Sequence, residues 1–350
     1  MLIGVWGRAR WVNLPEINQA IPEIWFERLN RRLGLPMWAG AIMFGLGPFA
    51  LLGIPLLGVG ASLGATVSDT FLFLLFTSLF ELSMPSFIFY TGRYLRREMR
   101  NLLEYARTLE DPSAAGPESL DLSNFSSIRQ TFIVYVILSA FTIPLFVIGG
   151  TGSLLENLEG EVPYFWSSWI LATFFWTFGY SMYSIHRMGR LPLRLKPYAQ
   201  DRTLGLKPFA TASLNSTLIY FGVVTAIVVV VAAGGAIPLN LGLLFLGLYP
   251  VGLLLFFLPL RSLHGKMTEA KKETLARITP RYERAVEIAS SGAKVDEITN
   301  EMVAVVEIRR DIQQIHTWPF DTGIIIRLAA IVFSLGAILL SAVIRDLLHF

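Results

Sequence analysis

Long runs of apolar side chains alternate with charged connectors along the whole chain. A helix needs about 20 apolar residues to cross the hydrocarbon core of a bilayer. Seven stretches reach that length: 36–58, 67–90, 130–149, 164–185, 211–233, 237–260 and 322–344. The first two follow one another closely, because no charged residue stands between Arg32 and Asp69. The pattern predicts an all-α, polytopic helical membrane protein with about seven transmembrane helices and a cytoplasmic helical hairpin. Its expected parts are a cytoplasmic amphipathic N-terminal segment (1–35), a six-helix transmembrane domain (36–260), a cytoplasmic hairpin (261–316), and a seventh helix with an outer tail (317–350).

Lysine and arginine set the expected orientation. Arg8, Arg10, Arg28, Arg31 and Arg32 precede the first stretch. Arg93, Arg96, Arg97, Arg100, Arg107 and Arg129 follow the second, and Arg187, Arg190, Arg194, Lys196, Arg202 and Lys207 follow the fourth. The connector after the sixth holds ten basic residues between Arg261 and Arg310, whereas those after the first, third and fifth hold none. This alternation places the N-terminus in the cytoplasm and the C-terminus outside.

Composition agrees. Hydrophobic residues make up 53% and charged residues 16%, against about 25% charged in soluble domains. The net charge is +3 and cysteine is absent, which removes disulfides and thiolate metal sites. Arg8 and Arg10 are followed by Asn13, Pro15, Glu16 and Asn18, where a secretory signal would carry its apolar core.

Three cytoplasmic features are expected. Residues 15–34 read as an amphipathic helix, with Ile21, Ile24, Trp25, Leu29 and Leu33 on one face and Glu23, Glu27, Arg28 and Arg31 elsewhere around it. It would lie in the headgroup layer or pack on the protein's own cytoplasmic surface. Residues 109–124 read as a loop. In 261–316, a charged helix continues the sixth span, bends at Pro280 and ends at Ser290, Ser291 and Gly292. A second helix runs from about Asp296 to His316, with an apolar seam of Ile298, Met302, Val305 and Ile312.

The motif catalogue for soluble enzymes finds nothing: no phosphate-binding glycine loop, no zinc-protease helix and no nucleophile elbow. His186, His264, His316 and His349 lack metal-ligand spacing. No catalytic residue, cofactor, metal or nucleic-acid partner is therefore expected, although a lipid-active site assembled from separate helices stays open. The sharpest candidate is Glu81, in the middle of the second stretch, where a carboxylate is costly and functional by default. Pro85 removes the backbone hydrogen bond to the Glu81 carbonyl, and Ser78 and Ser83 supply further oxygens, so the three residues could form an ion or proton site. Asp69 with Glu156, Glu159 and Glu161 would make an acidic outer vestibule that concentrates cations. The connector 186–209 is basic and rich in proline; Arg187, Arg190, Arg194, Lys196 and Arg202 could hold a lipid phosphate or another anion, with Asp201 paired to Arg202 or a neighbouring base. Thr211, Ser213, Asn215, Ser216 and Thr217 would bond across helices or line a wet path. Arg327 would reach back from the seventh span to the cytoplasmic interface. Glycines at 40, 45, 47, 53, 58, 60 and 64 suit close helix packing, and Pro48 and Pro55 suggest a kinked or broken first helix.

The segments Asp201-Arg202-Thr203-Leu204-Gly205-Leu206-Lys207-Pro208 and Thr317-Trp318-Pro319-Phe320-Asp321-Thr322 resemble an uncharacterised family of prokaryotic multi-pass integral membrane proteins. The resemblance implies a prokaryotic inner membrane and carries no activity. Two functions are compatible with these features. One is a channel or transporter for a small cation, homo-oligomeric, with Glu81 at its intramembrane site. The other is a non-transporting sensor or scaffold that recruits a cytoplasmic protein through 261–316.

Overall fold

A computed structural model describes residues 21–45, 67–110, 122–149, 154–198, 200–233, 239–290, 295–315, 317–320 and 322–348. Among them the protein is all-helical. The helices are α1 (Trp25–Arg32), α2 (Val67–Leu109), α3 (Ile128–Gly149), α4 (Leu154–Met188), α5 (Lys207–Ala233), α6 (Leu239–Ser290), α7 (Val295–Gln313) and α8 (Thr322–Leu348). A 3₁₀ turn at Ser123–Ser126 leads into α3. Residues 37–45 are also helical, and the remainder of the expected first span lies outside the described residues.

Several helices outrun their apolar cores. With 43 residues, α2 continues past Tyr90 to Leu109, so Arg93, Arg96, Arg97, Arg100 and Arg107 sit on a helix and not in a loop. The reason is an apolar seam that persists under the charges: Leu95, Met99, Leu102, Leu103 and Ala106 are buried at helical spacing. The acids expected in the outer connector between the third and fourth stretches are likewise on a helix from residue 154 onward, with 151–153 outside the described residues. Helix α4 starts at Leu154 and carries Glu156, Glu159 and Glu161 in its first turns. The 52 residues of α6 pass through Pro250, Pro259 and Pro280 without interruption, a length of about 78 Å at 1.5 Å per residue.

Helices α4 and α6 are central: α4 packs on α2, α3, α5 and α6, and α6 packs on α4, α5, α7 and α8. Aromatic rings fill the crossing. Phe174 stacks on Phe178 and Phe178 on Tyr220, at centroid distances of 6.1 and 5.0 Å, and Phe221 stacks on Tyr249 at 5.7 Å. The Tyr220 hydroxyl donates to the Leu248 carbonyl at 3.0 Å. Gly252 admits these rings; a Cβ there would stand 2.7 Å from Tyr220 and 2.8 Å from Phe221. On α6 the buried seam Phe256, Leu260, Leu263 and Met267 extends the core toward the charged half of the helix.

Of the described residues, two helical stretches are long and apolar enough to cross a membrane by length and composition: Lys207–Val229 and Leu246–Arg284. Ile128–Ala140 and Gly323–Ser334 are shorter apolar helices. Large apolar side chains stand exposed along these helices, among them Phe132, Ile133, Val136 and Ile137 on α3, Leu254 and Leu258 on α6, and Ile326 and Phe333 on α8.

The amphipathic segment is shorter than expected. Residues 21–24 are not helical, Ile24 is extended, and α1 begins at Trp25. Its apolar face packs on the protein: Ile21, Ile24 and Phe26 are buried, and Trp25 meets Phe44, Phe89 and Trp166 edge-on. Leu33, expected on that face, is exposed, and Glu27, expected away from it, is buried.

Candidate functional site

The densest polar architecture lies where the ends of α2 and α4, the segment 189–206 and the charged half of α6 meet. Four contacts tie 189–206 down. Leu193 forms a bridge with Glu110, and the Arg194 amide donates to the Leu109 carbonyl at 2.5 Å. The Tyr105 hydroxyl donates to the Gly205 carbonyl at 2.7 Å. Lys266 donates from α6 to the Leu191 carbonyl. Gly189 allows α6 to approach, since a Cβ there would meet the Ser262 hydroxyl at 2.3 Å.

Asp201 organises the segment from within. Its Oδ1 accepts the Thr203 amide at 2.8 Å and the Thr203 hydroxyl at 2.7 Å, and its Oδ2 accepts the Gly205 amide at 3.1 Å. Partial burial raises its pKa, but these donors and the nearby Lys196 charge outweigh burial and hold the carboxyl below its usual range. Of the two expected partners, Arg202 or a neighbouring base, the nearby charge is Lys196, and the carboxylate itself closes an aspartate turn on three donors of the same loop. The turn closes through Leu204 and Gly205, at φ 55° and 84°. Leu204 tolerates the left-handed region because its side chain is buried.

The five basic candidates have different surroundings. Lys196 lies over the Tyr105 ring, 5.9 Å from its centroid. Arg190, Arg194 and Arg202 are exposed. Arg187 is half-buried and lines a cavity between α3 and α4. Burial, with Arg190 and Arg261 nearby, lowers the pKa of His186.

Helix α1 is locked onto the middle of α2 and α4. The Arg96 Nη2 donates to Glu27 Oε1 at 3.1 Å, and Arg96 Nε lies 2.9 Å from Glu27 Oε2, off the N–H direction. Glu27 Oε2 also accepts the Ile24 amide at 3.2 Å, the back-reaching half of a capping box. Trp25 donates to Thr173 on α4 at 2.9 Å, and Arg28 reaches Ser126 of the 3₁₀ turn at 3.3 Å.

Helices α6 and α7 run antiparallel, with Arg309 over the Tyr282 ring at 4.5 Å and Lys271 donating to the Gln313 and Ile315 carbonyls at 2.7 and 3.0 Å. Val305 and Ile312 of the expected seam are buried; the side chains of Ile298 and Met302 lie outside the described residues. The segment after α7 returns to α6, where Trp318 stacks on His264 at 4.2 Å. The Thr317 carbonyl is 2.6 Å from His264 Nδ1. A carbonyl only accepts, so Nδ1 carries the proton.

The ion-site candidates are placed by backbone. Glu81, Ser78 and Asp69 fall on α2, which is helical through Pro85. Their side chains, like those of Glu156, Glu159 and Glu161, lie outside the described residues; Ser83 is exposed. In the polar start of α5, Ser213 donates to the Phe256 carbonyl on α6 at 3.1 Å, and Asn215 donates to the Tyr94 hydroxyl on α2 at 3.1 Å. Ser216 and Thr211 instead donate to carbonyls of their own helix. Beside Tyr94 stands Glu98, which the sequence reading passed over. Burial raises its pKa, partly offset by a hydrogen bond from Asn215. Its spacing of four from Tyr94 was the available signal. Among the described residues no group of acids and histidines is arranged to hold a metal.

The chain matches no protein-family model, no curated protein and no solved structure.

Proposed function

We propose that this protein is a multi-span membrane scaffold, with seven spans, a cytoplasmic N-terminus and an outer C-terminus, that recruits a protein partner through the hairpin at 261–316. The observation that carries this reading is helix α6. Its first half is apolar, and only 33% of the most apolar window of Leu246–Arg284 is buried. A core helix of a soluble protein would be mostly covered, and exposed apolar surface on this scale marks contact with lipid or protein. The second half of the same helix is charged and pairs with α7. The hairpin nevertheless exposes Val286, Val303, Val306 and Ile308, and apolar side chains on a charged surface suit a protein contact. The bolted segment 189–206 and Lys271 give the hairpin a fixed base. The resemblance noted above supports a prokaryotic inner membrane as part of this reading.

A photo-crosslinking residue introduced at Val303 tests this in intact cells. The expected result is a covalent adduct with a second polypeptide that is lost on Val306→Glu. Absence of any polypeptide adduct from membrane-inserted protein would overturn the scaffold reading.

A second reading is favoured by α2 itself. One unbroken helix joins Asp69 and Glu81 to the Tyr94–Glu98–Asn215 cluster, which suits a homo-oligomeric channel or transporter for a small cation or proton. Proteoliposome flux that Glu81→Gln abolishes would support it, and no flux from parent protein would dismiss it.

A further inference from the structure

The 3₁₀ turn and the first turn of α3 meet the last turns of α4 around a cavity of about 430 Å³, within the range of ligand sites. Arg187 supplies its one cation, and no acidic side chain lines it. The guanidinium makes no ion pair or side-chain hydrogen bond among the described residues. Gln130 also lines the cavity and adds polar character to it. Trp176 spends its indole N–H on the Asn124 carbonyl at 3.1 Å, so its ring, with Tyr180 and Tyr183, forms an aromatic wall. Above the cavity, Phe132, Ile133, Val136 and Ile137 continue along α3 as an exposed apolar stripe.

We propose that this cavity binds the headgroup of an anionic phospholipid whose phosphodiester meets Arg187. The acyl chains lie along the α3 stripe. Arginine forks match phosphate oxygens, and aromatic rings with one polar edge suit the headgroup layer. A single cation without a carboxylate matches a net negative headgroup better than a zwitterionic one. The stripe distinguishes a lipid from a soluble phosphate ester, which would leave it bare. The inference rests on the membrane reading above.

Native mass spectrometry of the full chain in detergent, with three added probes, tests it. Short-chain phosphatidylglycerol should bind at least tenfold more tightly than short-chain phosphatidylcholine, and glycerol 3-phosphate should not displace it. Arg187→Gln should weaken the first phosphatidylglycerol adduct at least tenfold, while Arg281→Gln, which removes an equal charge on the hairpin, should not. Gly179 lines the cavity with nothing within 4 Å of a Cβ placed on it. Gly179→Leu projects a side chain into the space from a position that admits a Cβ freely, and should block the same adduct in protein whose far-ultraviolet circular dichroism matches the parent's. Equal binding by parent and Arg187→Gln, equal binding of the two lipids, or displacement by glycerol 3-phosphate overturns the proposal. Protein that stays monomeric in buffer without detergent would instead defeat the membrane reading.

Discussion

Replacing Arg96 with methionine isolates the contact that holds α1. The Glu27 and Arg96 side chains are 8% and 13% exposed, so the substitution leaves a carboxylate buried without its cation. Removing one partner of a buried pair costs about 3–5 kcal/mol. The lower end applies, because one of the two contacts is off-axis and Glu27 keeps the Ile24 amide. About 3 kcal/mol corresponds to a roughly 100-fold rise in the undocked population of α1. Local opening of this kind is read by amide hydrogen exchange. The Arg28 and Leu33 amides, bonded to the Ile24 and Leu29 carbonyls, should exchange about 100-fold faster. Amides near Phe178 in the central crossing should not change. The double variant Glu27→Gln/Arg96→Met keeps the Ile24 acceptor and removes the charge, so it should return to within about 1 kcal/mol of the parent. An Arg96→Met protein whose α1 exchanges within threefold of the parent would refute the argument, as would a double variant no better than the single one.

Gly205→Ala should destabilise the 189–206 segment by about 1–2 kcal/mol, since its φ of 84° is left-handed; thermal melting in detergent and exchange at Lys196 report it. Gly252→Ala should lower stability by about 1–3 kcal/mol through overpacking against Tyr220 and Phe221, and a melting temperature equal to the parent's would contradict the tight α5–α6 crossing. Asp201 has a folded pKa below its ordinary 3.8, so it contributes stability above that value and loses it as pH falls through the lower folded one. After correction for intrinsic rates, exchange at Gly205 should accelerate on acidification below about pH 4 in the parent, but not in Asp201→Asn, which should be less protected at pH 7. Lys271→Met should loosen the hairpin by about 1–2 kcal/mol through loss of charged hydrogen bonds to the carbonyls of Gln313, at the end of α7, and Ile315, just beyond it, seen as proteolysis after Arg309 or Arg310.

Local periodicity carried much of the fold into the sequence. The end of α6 at Ser290, the buried positions Val305 and Ile312 on α7, and the cross-helix bond of Ser213 all follow from spacing and side-chain chemistry within one segment. The continuation of α2 to Leu109 was also written there, as Leu95, Met99, Leu102 and Ala106, but the arginines between them masked the seam. Hydropathy marks where a helix is apolar, not where it stops. Glu27 shows the opposite case. A charge on a short helix reads as solvated until its partner is known, and Arg96 lies 69 positions away. Arg187 was legible as a candidate anion contact, but not its cavity: Asn124, Gln130 and Trp176 join it only when the two helix ends meet. Asp201 was read only in part: the neighbouring base it feels is Lys196, and three donors within four residues, which charge pairing alone did not suggest, hold its carboxylate.

Sidedness tests the central claim most directly. The chain has no cysteine, so Ser290→Cys on the hairpin and Thr151→Cys between the expected third and fourth spans each supply a single thiol. With a membrane-impermeant maleimide on intact spheroplasts, Thr151→Cys should label at once and Ser290→Cys only after the membrane is opened. Labelling of both from the same side, or recovery of either variant in the aqueous fraction, would contradict an inserted bundle carrying a cytoplasmic hairpin.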